Sequence, residues 1–539
     1  MRNPRPERPQ LLAVDVGTLS ARAGLFDATG ALLSRASTPF DLHRPHEHHA
    51  VYRMDDIWSA VGEAARACLS EGANDGSHIA AVAFDATSSL YLDTGGESRP
   101  FDGIGDVVCW MDHRGEAEAS EINATGHPFL RFLGGAISPE MHLPKLLWLK
   151  RRHPGLFAGV TAIRDLCDEL AFRATGQAGH SVCGLACKWP YLPSEAEPWR
   201  QDLLDGLGIG ELSRMATLRH PVRGVGAVHG PIGEQGARHL GVPAGTPVAV
   251  GLIDAEAGAL GVLGAGFRRD MNRILPMIGG TSTNFMPFAA EPRHVPGVWG
   301  PFRDAVFSGH WMHEGGQSLS GAALDAVLAH HPASPGEPSP QTHAQAAAAV
   351  LAHLEAEGPA FAAGRHIVPD WLGNRSPLGD GSVRALLTGI GTETGLRSFH
   401  ETYYATARAL ALQSRHVAEH LNHHGFAFDR VHLSGGHLRN PLLVRLYRDA
   451  LGHDLVVSDA PEPVLLGTAM VAAVAAGLHG DLFDALDAMA PAQRPLPADT
   501  AWREAHDLAY RIYLQLFAVR NDVEAAAGAL QSFSRPPRS

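Results

Sequence analysis

Three short stretches of the chain gather small polar residues where a strand gives way to a turn. "LLAVDVGTLS" sets Asp15 inside an apolar run and follows it with Gly17, Thr18 and Ser20. "MNRILPMIGGTSTNFMPF" repeats the theme in the second half, with Gly280, Thr281 and Ser282 in the turn. "HLSGGHLRNPLL" supplies a third junction, strand to glycines to helix, at Gly435, Gly436 and Asn440. In such turns backbone N–H groups and hydroxyls can surround phosphate oxygens, and glycine lets the backbone come close. The glycine pair at 435–436 leaves room for a flat ring or a phosphate, and Asn440 offers donor and acceptor groups to a base or ribose. A carboxylate cannot bind phosphate directly, and burying one unpaired costs several kcal/mol. It can hold Mg²⁺, which bridges phosphates. Asp15 is therefore tolerable at a strand end that looks into a wet cleft. Neither G-x-x-x-x-G-K-[ST] nor a helix-opening G-x-G-x-x-G after the first strand is present.

A second carboxylate closes the apolar strand in "TPVAVGLIDAEAGALGVLGAG", where Asp254 precedes a helix of small residues. Asp254 either caps that helix, a position that favours Asp, or faces a cleft as a proton acceptor. Lysine is nearly absent: of 44 basic residues only Lys145, Lys150 and Lys188 are lysines. Lys188 lies between Cys187 and Trp189, and its compact ammonium is a donor that arginine does not replace sterically. Taken singly, Lys188 and Glu314 read equally well as solvated surface residues.

The elements that must hold these groups can be read around them. Leu11 to Val16, Ala21 to Phe26 and the strand opening at Ala31 form an antiparallel meander. A helix is predicted from Asp55 to Glu71, and a strand from Ile79 to Phe84 that ends at "DATSS", with Ser88 on the following loop. Strands and helices alternate thereafter, which predicts an α/β architecture with a largely parallel sheet. Two meanders, one in each half, predict a duplicated domain with a cleft between the copies, divided at residues 1–268 and 269–539. Residues 464–478 read as a buried helix too short to span a bilayer. Residues 331–343 read as an exposed loop, and "QSFSRPPRS" as a disordered tail.

Composition narrows the function classes. At 539 residues the chain needs at least two domains. A net charge of −13 excludes binding to a nucleic-acid backbone, which rests on clustered Lys and Arg. Five cysteines with no paired framework suit a reducing cytoplasm. Cys183 and Cys187 are half a zinc site at most and read as plain buried thiols. No signal peptide is visible. The "HRPHEHH" cluster at His43 to His49 reads as solvated surface.

Ten stretches in order, among them "DVGTLSARAGLFD", "FDATSSL", "CWMDHRGEAEA", "GLACKWPY", "GLIDAEAGALG", "GGTST", "HEGGQSLSG" and "LSGGHLRNPLL", resemble the FGGY carbohydrate kinase family. The likeness runs from about Leu11 to about Leu478 and leans toward pentulose kinases of the D-ribulokinase type. It implies two actin/hexokinase-like (ribonuclease H-like) domains, with the sugar between them. The N-terminal domain would carry the sugar and phosphate side, the C-terminal domain the nucleotide side. It implies ATP and Mg²⁺ as cofactors, a small-molecule sugar as partner, no nucleic acid and no membrane, with a homodimer left open. Asp15, Gly17, Thr18, Ser20, Gly280, Thr281 and Ser282 would take the phosphates, and Gln317, Gly435, Gly436 and Asn440 would lie along the nucleotide. Asp15 and Asp254 would assist Mg²⁺, with Asp254 the catalytic base. Lys188, Glu314 and, more weakly, Ser88 would contact the sugar beside Asp254. Leu19 and Asn284-Phe285 depart from the family's loops. D-ribulose is the first reading of the substrate; L-ribulose, xylulose or another polyol are alternatives. A scaffold without transfer activity, or a sugar-binding module, are rivals of another class.

Overall fold

The structure, a computed structural model, describes residues 9–72, 76–96 and 100–531. Two sheets organise it. The first is ordered Val228–Pro231, Pro247–Ala249, Ile79–Ala86, Gln10–Val16, Ser20–Asp27, Leu32–Pro39, with Leu252–Ile253 also paired to the Ile79–Ala86 strand. The second contains Trp311–Gln317, Thr283–Phe285, Ile274–Gly279, Arg430–Gly435 and Asp454–Ser458 in that spatial order. Each opens with the predicted meander: Gln10–Val16, Ser20–Asp27 and Leu32–Pro39 pair antiparallel in turn, as do Ile274–Gly279, Thr283–Phe285 and Trp311–Gln317. The sheets are thus mixed rather than largely parallel. Short turns can join only antiparallel neighbours, and parallel pairing requires a long crossover. That occurs between Gln10–Val16 and Ile79–Ala86, and between Ile274–Gly279 and Arg430–Gly435.

The helices match the apolar patterning closely. Met54–Glu71 extends the predicted helix by one residue and buries Ile57, Val61, Ala64, Ala65 and Cys68 on one face. Pro463–Ala475 forms where a buried helix was expected, with proline at its first turn, where a missing N–H costs nothing. It does not stay with the second sheet. Leu465, Leu466, Ala469 and Met470 join the core formed by Leu11, Ala13 and Ala81 of the first sheet. It packs on the small-residue helix Asp254–Val262 backbone to backbone. A Cβ at Gly261 would overlap the Pro463 carbonyl, and one at Gly467 the Ala257 carbonyl.

The exposed loop is shorter than predicted. Ser339 accepts from the Thr342 N–H in a capping box, and Pro340 opens a helix that runs to Glu357. The polar hydroxyls read as loop chemistry are cap chemistry. The last eight residues of the chain, most of the predicted tail, lie outside the described residues. No helix among the described residues is long and apolar enough to cross a membrane.

Candidate active site

The parallel register brings Asp15 and Asp85 opposite one another at the ends of adjacent strands. Leu252 pairs with Asp85, so the chain emerges beside them at Asp254. Three carboxylates thus converge at the C-terminal edge of one sheet, where open α/β sheets bind ligands. Asp15 is fully buried and ion-paired with Arg22. Asp85 is fully buried and accepts from Thr468 Oγ1 on the Pro463–Ala475 helix. Burial raises both carboxyls above their ordinary range, Arg22 opposing it at Asp15 and the Asp15 charge adding to it at Asp85. Asp254 is pushed up to about 7, first by desolvation and then by the charge of Asp15.

Asp254 is the first residue of its helix, and its Oδ1 accepts from the adjacent Ala255 N–H at 2.8 Å. The capping position is Ile253, so Asp254 does not close the second or third turn N–H as an N-cap would. Asp254 lines a pocket of about 210 Å³. Thr18, Ser88, Trp110, Glu140, Lys188 and Asp254 line that pocket from the first half of the chain. Ser282, Asn284, Glu314 and Arg375 line it from the second. Two ion pairs bridge the halves across it. Lys188 Nζ lies 3.2 Å from Glu314 Oε2 and 4.9 Å from the Trp299 ring. Arg375 lies 3.9 Å from Glu140 and donates to Asn284 Oδ1 at 2.9 Å. Burial and Glu314 act in opposite directions on Lys188, and its pKa ends above the ordinary range, so it stays charged. A larger cleft of about 630 Å³ lies at the opposite edge of the second sheet, around Ile274, Arg430 and Asp454 at the strand starts. It contains none of these carboxylates.

The polar turns are built to present N–H groups outward. The Gly280 carbonyl accepts from Gly321 N (3.0 Å) and His437 Nε2 (2.9 Å), and the Thr281 carbonyl from Ser320 N (2.9 Å). In a trans peptide the next N–H points the opposite way. Thr281 and Ser282 N–H therefore face away from the body, the arrangement that binds anions. His437 is held neutral, its pKa lowered to about 4 by burial, with the Tyr447 hydroxyl 3.1 Å from its Nδ1. In the first turn Tyr52 Oη donates to the Thr18 carbonyl at 3.0 Å, which turns the Leu19 N–H outward in the same way. Leu19 itself is 60% exposed, so the leucine at this position meets no steric obstacle. Gly17 and Ser20 close that turn through a 3.1 Å backbone bond. Phe285 is core, and Asn284 is a pocket residue.

Gly435 and Gly436 lie against this second turn. Gly435 has φ of 92°, and a Cβ there would overlap the Gly279 carbonyl. Asn440 and Gln317 are less free than the sequence suggests. Asn440 caps Pro441–Ala450 with its Oδ1 and donates to the Tyr403 hydroxyl at 3.1 Å. Gln317 is buried and donates to the Leu410 carbonyl and to Gln413. Both support the walls around the turns.

Several groups were not singled out from sequence. Asp85 stood in "FDATSS" but read as a strand end. Lys145, one of the three lysines, donates to the carbonyls of Cys109 and Trp110 at 2.9 Å each. It thereby sets Trp110, whose Nε1 donates to Thr18 Oγ1 at 3.2 Å. Its scarcity was the available signal. Glu140, Arg375 and His437 gave none. At the histidine cluster, His46 is exposed, as expected of solvated surface, but His49 approaches Asp102 at 3.0 Å. Arg114 already pairs with that carboxylate.

Residues 10–261 match the FGGY family of carbohydrate kinases, N-terminal domain, and residues 275–476 its C-terminal domain. A human FGGY carbohydrate kinase domain-containing protein is 34% identical, over 95% of this chain and 96% of its own. A D-ribulokinase of Saccharomyces cerevisiae is 30% identical, over 87% of this chain and 72% of its own. Among solved structures, a xylulose kinase from Rhodospirillum rubrum superposes with a TM-score of 0.80 at 22% identity, covering 95% of this chain and 99% of its own. That likeness extends to the fold, two α/β domains of the actin/hexokinase-like type. Both halves carry the family's domains in order, and the chain belongs to the FGGY family of carbohydrate kinases, as a sugar kinase.

Proposed function

We propose that the chain transfers the γ-phosphoryl group of ATP to the terminal hydroxyl of D-ribulose, giving D-ribulose 5-phosphate. The observation that carries this reading is the pocket of about 210 Å³ shared by both halves, with Asp254 on its wall. Its size is below that of pockets for drug-sized ligands, about 300–1,000 Å³, and suits a small polyol. Its charges are already matched: Lys188 faces Glu314, and Arg375 faces Glu140. A sugar acid would find no unpaired cation there, which favours a neutral sugar. The yeast D-ribulokinase supports ribulose over other neutral pentuloses.

In this reading Ala255 N–H fixes one Asp254 oxygen, and the other accepts the proton of the attacking hydroxyl. A carboxyl near 7 is suited to that exchange at neutral pH. Lys188, Glu314 and Ser88 orient the sugar. The turns at Gly17–Ser20 and Gly280–Ser282 hold the phosphates by N–H groups and hydroxyls, with Gly435 and Gly436 along the nucleotide. Gln317 and Asn440 act through the walls they brace. The donor set fits Mg²⁺: Asp15, Asp85 and Asp254 are all hard oxygen ligands, and Asp15 Oδ1 and Asp85 Oδ1 have no donor among the described residues. When bound, the cation neutralises phosphate charge. All five cysteines are free, which supports a reducing compartment, the cytoplasm.

ADP release measured with D-ribulose, L-ribulose, D-xylulose, glycerol and gluconate tests the reading. D-ribulose should give the highest kcat/KM, by at least about tenfold, since one well-matched polar contact is worth about that much. A higher value with D-xylulose would move the assignment to xylulose, and a preference for gluconate would refute the charge argument.

A further inference from the structure

We propose that Cys183, Cys187 and Glu256 form a binding site for a thiophilic divalent cation of the zinc type, on the two helices that contribute Lys188, Asp254 and Ala255 to the sugar pocket. The helix Val182–Lys188 sets the two cysteines four residues apart, hence on one face. Glu256 enters from the first turn of Asp254–Val262. All three are buried, and one ligand atom from each lies within 4.8 Å of the others. Tetrahedral zinc with Zn–S of about 2.3 Å and Zn–O of about 2.1 Å places its ligands about 3.6–3.8 Å apart. The three groups therefore need to close by about 1 Å to share one ion.

The carboxylate is the second, independent sign. Neither Glu256 oxygen has a hydrogen-bond partner among the described residues, although a buried carboxylate without one costs several kcal/mol. The nearby ammonium of Lys188 is hydrogen-bonded to Glu314 instead. Two sulfurs and one oxygen exclude Mg²⁺ and Ca²⁺, which take all-oxygen shells, and select a softer ion. The scaffold is fixed at both ends of the cysteine helix. Ser181 Oγ donates to the Gly251 carbonyl at 2.6 Å, and Trp189 Nε1 donates to Asp165 at 2.9 Å.

Binding must displace protons. Affinity therefore rises with pH. Cys187 adjoins Lys188 and Glu256 follows Ala255, so a cation here ties together two elements that line the sugar pocket.

Titration of the reduced, metal-stripped full chain with Co²⁺ tests the site. The expected result is one equivalent bound with a near-ultraviolet thiolate-to-cobalt absorption band. The band should vanish in Cys183→Ala/Cys187→Ala and persist in Cys109→Ala. In Glu256→Gln, a conservative change that guards against misfolding of the double variant, Co²⁺ should bind at least about tenfold more weakly. Loss of second-shell partners alone costs that much. Absence of the band in the unmodified chain overturns the proposal, including the case in which Co²⁺ binds only at His46 and His49. So does a band that survives the double cysteine variant, or unchanged affinity in Glu256→Gln.

Discussion

Replacing Asp254 with asparagine should inactivate the enzyme and stabilise it at once. The amide keeps the shape of the side chain and can still accept from the Ala255 N–H, but it cannot take a proton. Loss of a general base costs about 10²–10⁴-fold in kcat. The stability change follows from the carboxyl's own pKa, raised from 3.8 to about 7 by burial and by Asp15. Because the folded pKa lies above the unfolded one, the folded state holds a proton that the unfolded chain releases between about pH 4 and pH 7. Stability therefore falls as pH rises through that window, and the loss is complete above it. A shift of about three units at 1.36 kcal/mol each puts an upper bound of about 4 kcal/mol on the loss. The asparagine variant escapes it. Thermal melts across that range should show the two proteins melting together near pH 4. Near pH 8 the variant should melt higher, by a few degrees in a chain of this size. In parallel, the parent's kcat/KM should rise with pH around an apparent pKa of about 7, while the variant stays low and flat. Turnover within a few-fold of the parent would refute the proton-acceptor role. Equal melting temperatures at the alkaline end would refute the claim that Asp254 is held charged at a cost.

Lys188→Met should raise KM for the sugar about tenfold to a hundredfold, the worth of a charged hydrogen bond, and leave KM for ATP nearly unchanged. Lys188→Arg should also bind sugar poorly, since the longer planar fork would displace the sugar rather than mimic a compact ammonium; kinetics with each substrate varied separately decide it, and an unmoved sugar KM in both variants would remove Lys188 from the pocket's chemistry. Gly435→Ala places a side chain at φ of 92° against the Gly279 carbonyl, a strain of about 1–3 kcal/mol. It should weaken ATP binding about tenfold or more with little effect on sugar KM, and calorimetric titration with the nucleotide showing parental affinity would separate this turn from the nucleotide.

What could be read from sequence was what is local. Asp15 and Asp254 betray themselves because a carboxylate closing an apolar strand needs a reason, and the glycines beside them mark turns. Lys188 is conspicuous because arginine serves almost everywhere else, and the same argument pointed to Lys145 without being taken up. Asp85 was hidden by its register: only the pairing of Ile79–Ala86 with Gln10–Val16 shows that it stands opposite Asp15. Glu140 and Arg375 meet across 235 residues of sequence on loops with no periodicity to read. Asn440 and Gln317 show the converse. Their amides suggest ligand contacts, while tertiary packing commits them to a helix cap and to Leu410 and Gln413.

The helix Pro463–Ala475 gives the molecule an order of birth. It is made long after the sheet whose core it fills, and its Thr468 supplies the hydroxyl that Asp85, 383 residues earlier, accepts from. A nascent chain emerging from the ribosome carries the first sheet with an open apolar face around Leu11, Ala13 and Ala81 until that helix arrives. The N-terminal half is thus not a unit that can finish folding first, as sequential domains do during translation. Splitting the gene between the two halves would yield one fragment lacking its own core helix and another with that helix stripped of its partner. Only co-expression of the two, each completing the other, could restore the carboxylate edge.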